Sequence, residues 1–119
     1  MATTNDDSLT LAQAMAQFLA DPTTGTGYTL QTYGTGLKRL LAYVTSTGAQ
    51  ADRAPASLIS VPFALAWITW LLEDQGVSER TLLTYLAGFS RFVRFLHNRG
   101  LANLGADDVL RLQTELRQV

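Results

Sequence analysis

The sequence has no cysteine and only one histidine, His97. Without thiols the chain has neither a disulfide framework nor a thiolate metal site, and a single imidazole does not assemble the usual transition-metal clusters. Its apolar runs are too short to cross a bilayer, and residues 1–10 lack the apolar core of a secretory signal. We therefore expect a cytoplasmic protein with no metal, no cofactor and no membrane partner.

Charge is also scarce, because only 16% of the residues are charged whereas 47% are hydrophobic. This balance excludes a disordered tail or a polyelectrolyte arm, and 119 residues suit one compact domain, residues 1–119. The net charge of -1 by itself argues against a nucleic-acid partner. However, residues 26–100 hold seven basic and four acidic side chains, whereas both ends of the chain are acidic. The basic charge is therefore concentrated in the middle of the chain.

Apolar residues recur at helical spacing in five segments, and no strand pattern competes with them. The predicted fold class is all-α, a compact bundle of four main helices plus a short C-terminal helix. The third helix is apolar nearly all round, which predicts the most enclosed helix of the bundle. Residues 49–57 are predicted to form a surface connection. The helices are predicted near residues 9–20 after Ser8, near 28–47, from the Ser60 cap to Gly76, from the Ser78 cap to Gly100, and from Asp107 through Val109, Leu112 and Leu116.

The sequence matches itself when it is displaced by 52 positions. Residues 29–33 (TLQTY) align with residues 81–85 (TLLTY), so the second and fourth helices are versions of one design. Capping and apolar periodicity alone would explain only part of this similarity. The match continues with Gly36 and Gly88, Arg39 and Arg91, and Gly48 and Gly100.

Both helices have a polar stripe opposite their apolar face. A solvated surface is the simplest interpretation of such a stripe, but idle surface helices usually mix charges of both signs, and Glu79 is the lone acid beside these two. Arginine forks and hydroxyls suit phosphate oxygens, and a helix fits the major groove of DNA. At about 100° per residue, the stripe of the fourth helix holds Arg80, Thr84, Ala87, Arg91 and Arg94, and that of the second holds Tyr28, Thr32, Thr35 and Arg39, flanked by Thr29, Gln31 and Lys38.

Residues 78–96 (SERTLLTYLAGFSRFVRFL) resemble the last long helix of the core-binding domain of tyrosine recombinases, the family of phage integrases and Xer-type resolvases. Residues 26–33 (TGYTLQTY) are similar to an earlier helix of the same domain, and the resemblance spans about residues 9–117. It implies a SAM-like integrase N-terminal domain that clamps double-stranded DNA. The DNA contacts implied by the resemblance are Tyr28, Thr29, Gln31, Thr32 and Arg39 on the second helix, and Arg80, Thr81, Thr84, Arg91 and Arg94 on the fourth.

The resemblance also implies partners for the chain, namely a C-terminal catalytic domain of the parent protein and further protomers of the recombinase on DNA. That catalytic domain needs a nucleophilic tyrosine with arginines, a lysine and histidines. This constellation is not assembled here, so we expect no catalytic residues in the chain itself. Tyr33, Tyr43 and Tyr85 are predicted to be core or boundary aromatics, and His97 to lie at a helix end.

Two further expectations concern the helices themselves. Gly34 and Gly36 interrupt the second helix, and a bend or a close approach of another helix would account for them. Arg99 is expected to counter the carboxyl terminus of the fourth helix. The alternative to a DNA-binding domain is a helical protein–protein interaction module without DNA affinity.

Overall fold

The computed structural model describes residues 9–25 and 27–100, together with residues 107, 110, 111 and 114. Within these residues the structure is all-helical apart from one isolated bridge, which confirms the all-α prediction with four main helices. A 3₁₀ turn precedes the third helix and a π-helical turn, Trp70–Asp74, follows it. The helices are α1 (Leu11–Ala20), α2 (Gly27–Ser46), α3 (Val61–Thr69) and α4 (Glu79–Arg99).

Side-chain caps determine where three of these helices begin. The Ser60 hydroxyl accepts from the Phe63 amide and the Ser78 hydroxyl from the Thr81 amide, so both predicted caps are confirmed. The first helix begins later than predicted because Thr10, and not Ser8, is its cap. Thr10 forms a reciprocal capping box with Gln13.

The third helix is less regular than the sequence predicts. Its α-helical bonding ends at Thr69, and the Gln75 amide donates to the Trp70 carbonyl at 3.0 Å in the π-helical pattern. Trp67 is completely buried, but Ala66 and Leu72 are exposed. The sequence predicts the most enclosed helix of the bundle, and four of the nine residues of α3 are buried, namely Val61, Ala64, Trp67 and Ile68.

The connection between α2 and α3 is only partly a surface segment. The Leu11 amide donates to the Ala54 carbonyl at 2.7 Å, and the Ala56 amide donates to the Leu9 carbonyl at 3.0 Å. Ala54 and Ala56 are buried. The predicted surface connection is thus wrong for its last residues, because these backbone bonds hold it against the start of α1.

The core lies between the four helices, and its largest fully buried side chains include Phe18, Trp67, Phe89 and Phe92. The most extensive contact between two helices is that of α2 with α4. In the predicted C-terminal helix, residues 107, 110, 111 and 114 are helical, whereas the predicted stripe of Val109, Leu112 and Leu116 lies outside the described residues. No helix in the described part of the chain is long and apolar enough to span a membrane.

Candidate nucleic-acid interface

Glycines allow α2 and α4 to pack unusually close together. A Cβ atom added to Gly88 would lie 2.9 Å from Tyr33 Cδ1, and one added to Gly36 would lie 3.3 Å from the Cα atom of Tyr85. Such distances leave no room for a side chain unless a neighbour moves. The expectation of a close helix approach is confirmed at Gly36. Gly34 is different, because its added Cβ would meet only Leu19 Cδ1, at an ordinary 3.9 Å.

These two glycine contacts are related by the 52-residue repeat. Gly36 of α2 packs on Tyr85 of α4, and the equivalent residues, Gly88 of α4 and Tyr33 of α2, also pack on each other. The two helices therefore exchange roles between the two contacts. When residue i of one copy contacts residue j of the other, and j of the first contacts i of the second, the copies are related by a two-fold rotation. The α2–α4 contact therefore has an approximate two-fold axis within one chain.

Polar contacts at the ends of the two helices repeat this exchange. Arg39 Nη1 donates to Gln75 Oε1 at 3.3 Å, and the equivalent Arg91 Nη2 donates to the Thr23 carbonyl at 3.3 Å. Each arginine thus reaches the segment that precedes the opposite helix. The two distances match although the acceptors differ in kind, a side-chain amide in one copy and a backbone carbonyl in the other.

Aromatic contacts extend the relation to α1 and the π-helical turn. The rings of Tyr43 and Trp70 lie 5.4 Å apart, and so do the rings of their equivalents Phe95 and Phe18. The aromatic contact between the two helical hairpins, α1–α2 and α3–α4, therefore occurs twice, with the roles of the hairpins exchanged. The sequence repeat was visible only in the second and fourth helices because the partner side chains differ in identity.

The predicted polar stripes meet on one surface of this contact. Thr32 and Thr84 are equivalent residues, and both line each of two neighbouring surface recesses, so they lie near the point where the approximate axis reaches the surface. The Thr84 hydroxyl donates to the Arg80 carbonyl at 3.1 Å, and its oxygen keeps acceptor capacity. The other residues that line these recesses are Thr29, Gln31, Tyr33, Thr35, Tyr85 and Ala87.

The remaining predicted contacts are distributed around this surface. Arg80 is exposed one turn before Thr84, while Thr81 is half-buried and accepts a 3.0 Å bond from the Ser78 hydroxyl at the start of α4. Arg39 lies two turns beyond Thr32 on α2. Tyr28 belongs to α2, but its side chain lies outside the described residues.

Arg91 and Arg94 line a separate recess of about 370 Å³ at the end of α4. Arg99 also lies there, in the last turn of α4, where the sequence suggested that it counters the helix terminus, and Arg99 Nη2 also binds Asp21 Oδ2 at 3.1 Å. The Arg99 guanidinium covers the Phe95 ring at 4.8 Å from its centroid. The other residues lining this recess are Phe18, Thr23, Thr24 and Asn98.

Asp21 organises the wall of this recess. Its Oδ1 accepts bonds from the Thr23 hydroxyl at 2.7 Å and from the Thr23 amide at 2.8 Å. These two bonds, followed by the charge of Arg99, lower the pKa of the Asp21 carboxyl below its ordinary value. The carboxylate therefore stays ionised and fixes both the loop after α1 and the Arg99 side chain.

Sequence reasoning missed Asn98, Asp21 and Thr23 as members of a polar site. They come from segments more than 70 residues apart, and nothing in the local pattern pairs the loop after α1 with the end of α4. The available signal was the internal repeat, which relates Arg91 to Arg39 and leaves Arg94 without a basic equivalent.

Comparison with known proteins gives no family for this chain. No protein-family model, no curated protein and no solved structure matches it significantly. Among the residues that the structure describes, no cluster of histidine and carboxylate side chains is suited to hold a metal ion. The arrangement of α2 and α4 is therefore the feature of this chain that bears on its function.

Proposed function

We propose that this chain is the DNA-binding core-binding domain of a tyrosine recombinase or integrase, a SAM-like domain whose helices α2 and α4 face the duplex. The observation that supports the proposal is the meeting of the two polar stripes on one surface, where Thr32 and Thr84 line the same recesses. A surface that is only solvated, and that binds no partner, would not require two related helices to present hydroxyls and arginines side by side.

The chemistry of this surface favours a polyanion. Arg80 is exposed at one end of the α4 stripe, and its guanidinium forms no hydrogen bond or ion pair with any described residue. Arg39 and Arg91 each use one N–H group toward the protein, which leaves most of their five donors for phosphate oxygens. Glu79 is the acid in the first turn of α4, and Asp21, which lies beside Arg91 and Arg94, is paired with Arg99. The surface therefore has hydroxyls at its centre and guanidinium groups around them.

In the proposed role the domain positions DNA and does not cut it. Cleavage and rejoining belong to the separate catalytic domain of the parent protein, and neighbouring protomers occupy the other half-sites of the DNA. Such a division of roles fits a chain in which the rings of Tyr33 and Tyr85 pack against glycines between two helices. A cytoplasmic location, as expected from the sequence, is part of this proposal.

Binding by this domain alone is expected to be weak and dependent on salt. Four arginines, Arg39, Arg80, Arg91 and Arg94, are in place to neutralise phosphates. Release of condensed counterions then gives a slope of log K against log salt of roughly -3 to -4, since each phosphate contact contributes about -0.9. This slope is the quantitative signature of the proposal.

The test is a titration of a short fluorescent duplex with the domain at several salt concentrations, with anisotropy as the readout. Arg80→Ala should weaken binding and reduce the salt slope by about 1, because it removes one phosphate contact. Arg53→Ala is the matched control, since Arg53 is exposed on the connection between α2 and α3 and carries the same charge. Equal effects of the two variants, or binding that salt does not change, would contradict the proposal and favour a protein-interaction module.

A second variant tests the centre of the surface without changing charge. Thr84→Val keeps the shape of the side chain but removes its hydroxyl, which should weaken duplex binding severalfold while leaving the salt slope unchanged. Thr69→Val is a control on α3, because the Thr69 hydroxyl makes the same bond to a carbonyl one turn earlier, at 3.1 Å. Identical duplex affinity in both variants would remove Thr84 from the interface.

A further inference from the structure

The approximate two-fold relation makes the two ends of the α2–α4 contact equivalent in position. Their side chains nevertheless differ in chemistry. Arg39 and Arg91 are equivalent, and each binds the segment before the opposite helix, so packing of the repeat accounts for both. Packing does not account for the next turns of α4. There Arg94 and Asn98 stand where α2 has Ala42 and Ser46.

The positive charge of this recess is not cancelled by its acid. Asp21 is ion-paired with Arg99 and also accepts two bonds from Thr23, so its charge and its acceptor capacity are largely satisfied. Arg94 is exposed, and its guanidinium forms no hydrogen bond or ion pair with any described residue. Arg91 spends one donor on the Thr23 carbonyl. Two guanidinium groups thus remain with free donors on the same recess.

We propose that this recess binds a phosphate group, with Arg94 and Arg91 as the principal donors and the Asn98 side-chain amide as a further donor. A guanidinium fork matches two phosphate oxygens, and two forks on one recess match the charge of a phosphate better than that of a carboxylate. The proposal rests on the proposed function only for the source of the phosphate, which is the backbone of a duplex lying across α2 and α4. A small phosphorylated molecule would use the same donors.

The surroundings of the recess strengthen such an interaction. The Asp21–Arg99 pair and the two bonds from Thr23 hold the loop after α1 in place before a ligand arrives. Phe18 and Phe95 form an apolar floor, with ring centroids 5.4 Å apart. A fixed wall lowers the entropy cost of binding, and an apolar floor excludes water from one side of the charges.

The first experiment uses the full chain and inorganic phosphate. Two-dimensional NMR would follow the Nε–H signals of Arg91 and Arg94 and the side-chain amide of Asn98 during titration, against sodium chloride at matched ionic strength. We expect saturable shifts with phosphate, an affinity at least fivefold weaker in Arg94→Ala, and no change in Arg53→Ala. A phosphate response no larger than the chloride response, or equal affinities in the two variants, would overturn the proposal.

The second experiment separates the two sources of phosphate and separates this inference from the proposed function. Duplex DNA is titrated into the same variants. Loss of duplex affinity in Arg94→Ala as well as in Arg80→Ala would support a backbone phosphate in the recess. Phosphate binding without any duplex binding would support a small phosphorylated ligand and refute the DNA-binding function. Duplex binding that depends on Arg80 but not on Arg94, together with no response to inorganic phosphate, would refute the recess and leave the DNA-binding function standing.

Discussion

The two helical hairpins of this protein, α1–α2 and α3–α4, share a set of equivalent contacts but not their surface chemistry. Equivalent glycines, aromatic rings and arginines make exchanged contacts across the approximate two-fold axis. The outer ends differ, because one has Arg94 and Asn98 on a recess and the other has Ala42 and Ser46. Features that both hairpins share are explained by packing, whereas features of one hairpin only need another explanation.

The largest expected change in the free energy of unfolding comes from the equivalent aromatic residues Phe18 and Trp70. Phe18 is 2% exposed and its ring contacts those of Phe92 and Phe95. We expect Phe18→Ala to lower the free energy of unfolding by about 3–5 kcal/mol, since the cavity is surrounded by rings that cannot collapse into it. Trp70 is only half-buried, so Trp70→Ala should cost roughly half as much.

Urea denaturation followed by circular dichroism measures both changes, with the helical signal before unfolding as a check that each variant folds. A cost of Trp70→Ala as large as that of Phe18→Ala would contradict the difference expected from their burial. That outcome would mean that the packing of the two hairpins is equal in energy as well as in arrangement.

The next test concerns the helix crossing itself. Gly88→Ala should lower the free energy of unfolding by about 1–3 kcal/mol, because the new methyl group would lie 2.9 Å from Tyr33 Cδ1 and 3.3 Å from its Cα atom. Gly36→Ala should cost less, because its closest distances are 3.3 Å and alanine gains up to about 1 kcal/mol of helix propensity.

Gly34→Ala is the matched control on the same helix. Its methyl group would meet only Leu19 Cδ1 at 3.9 Å, so the gain in helix propensity should stabilise the protein by up to about 1 kcal/mol. The three variants are compared by their denaturation midpoints. Destabilisation by Gly34→Ala, or none by Gly88→Ala, would show that the close helix approach does not limit side-chain size at these sites.

The sequence pattern predicted the helices well because their signals are local. Ser60, Ser78 and Gly100 mark helix ends through bonds and backbone angles within a few residues, and apolar spacing identifies the buried faces. Thr10 replaced Ser8 as a cap because a capping box needs its partner Gln13 three residues later. Even the equivalence of the second and fourth helices was visible before their contact was known.

The candidate site was less predictable because its members come from distant segments. The stripes containing Thr32 and Thr84 were predicted separately, but only the helix packing brings them to one recess. Asp21 and Arg99 lie 78 residues apart, and no local rule pairs them. Sequence periodicity indicates which side of a helix is polar, whereas the angle and position of its partner helix depend on the whole core.

Moving one arginine from one end of the α2–α4 contact to the other tests whether phosphate affinity depends on the recess or only on net charge. Arg94→Ala combined with Ala42→Arg keeps the total charge but moves the arginine to the equivalent exposed position on α2. If the recess binds phosphate, the double variant should stay about as weak as Arg94→Ala alone, roughly fivefold below the natural protein. Recovery of phosphate affinity in the double variant, measured by the same NMR titration, would show that charge rather than position matters.

The smallest expected effect is a pH dependence of stability that comes from Asp21. Bonds from Thr23 and the charge of Arg99 lower its pKa in the folded protein, so its contribution to stability is present above the pKa of the unfolded chain, about 3.9. It is lost as pH falls through the lower pKa of the folded state. The difference in thermal midpoint between the natural protein and Asp21→Asn should therefore be constant above about pH 5 and shrink toward pH 2.

The other hairpin supplies the control for this effect. Glu73 is the equivalent of Asp21, but it is exposed and forms no ion pair with a described residue, so Glu73→Gln should leave the thermal midpoint at pH 7 close to that of the natural protein. Calorimetry of the three proteins gives both comparisons. A midpoint difference for Asp21→Asn that did not change between pH 5 and pH 2 would mean that its carboxylate stabilises the loop after α1 through shape alone. The Arg99 side chain would then be held by the Phe95 ring and not by charge, since the ring contact at 4.8 Å does not depend on the ionisation of Asp21.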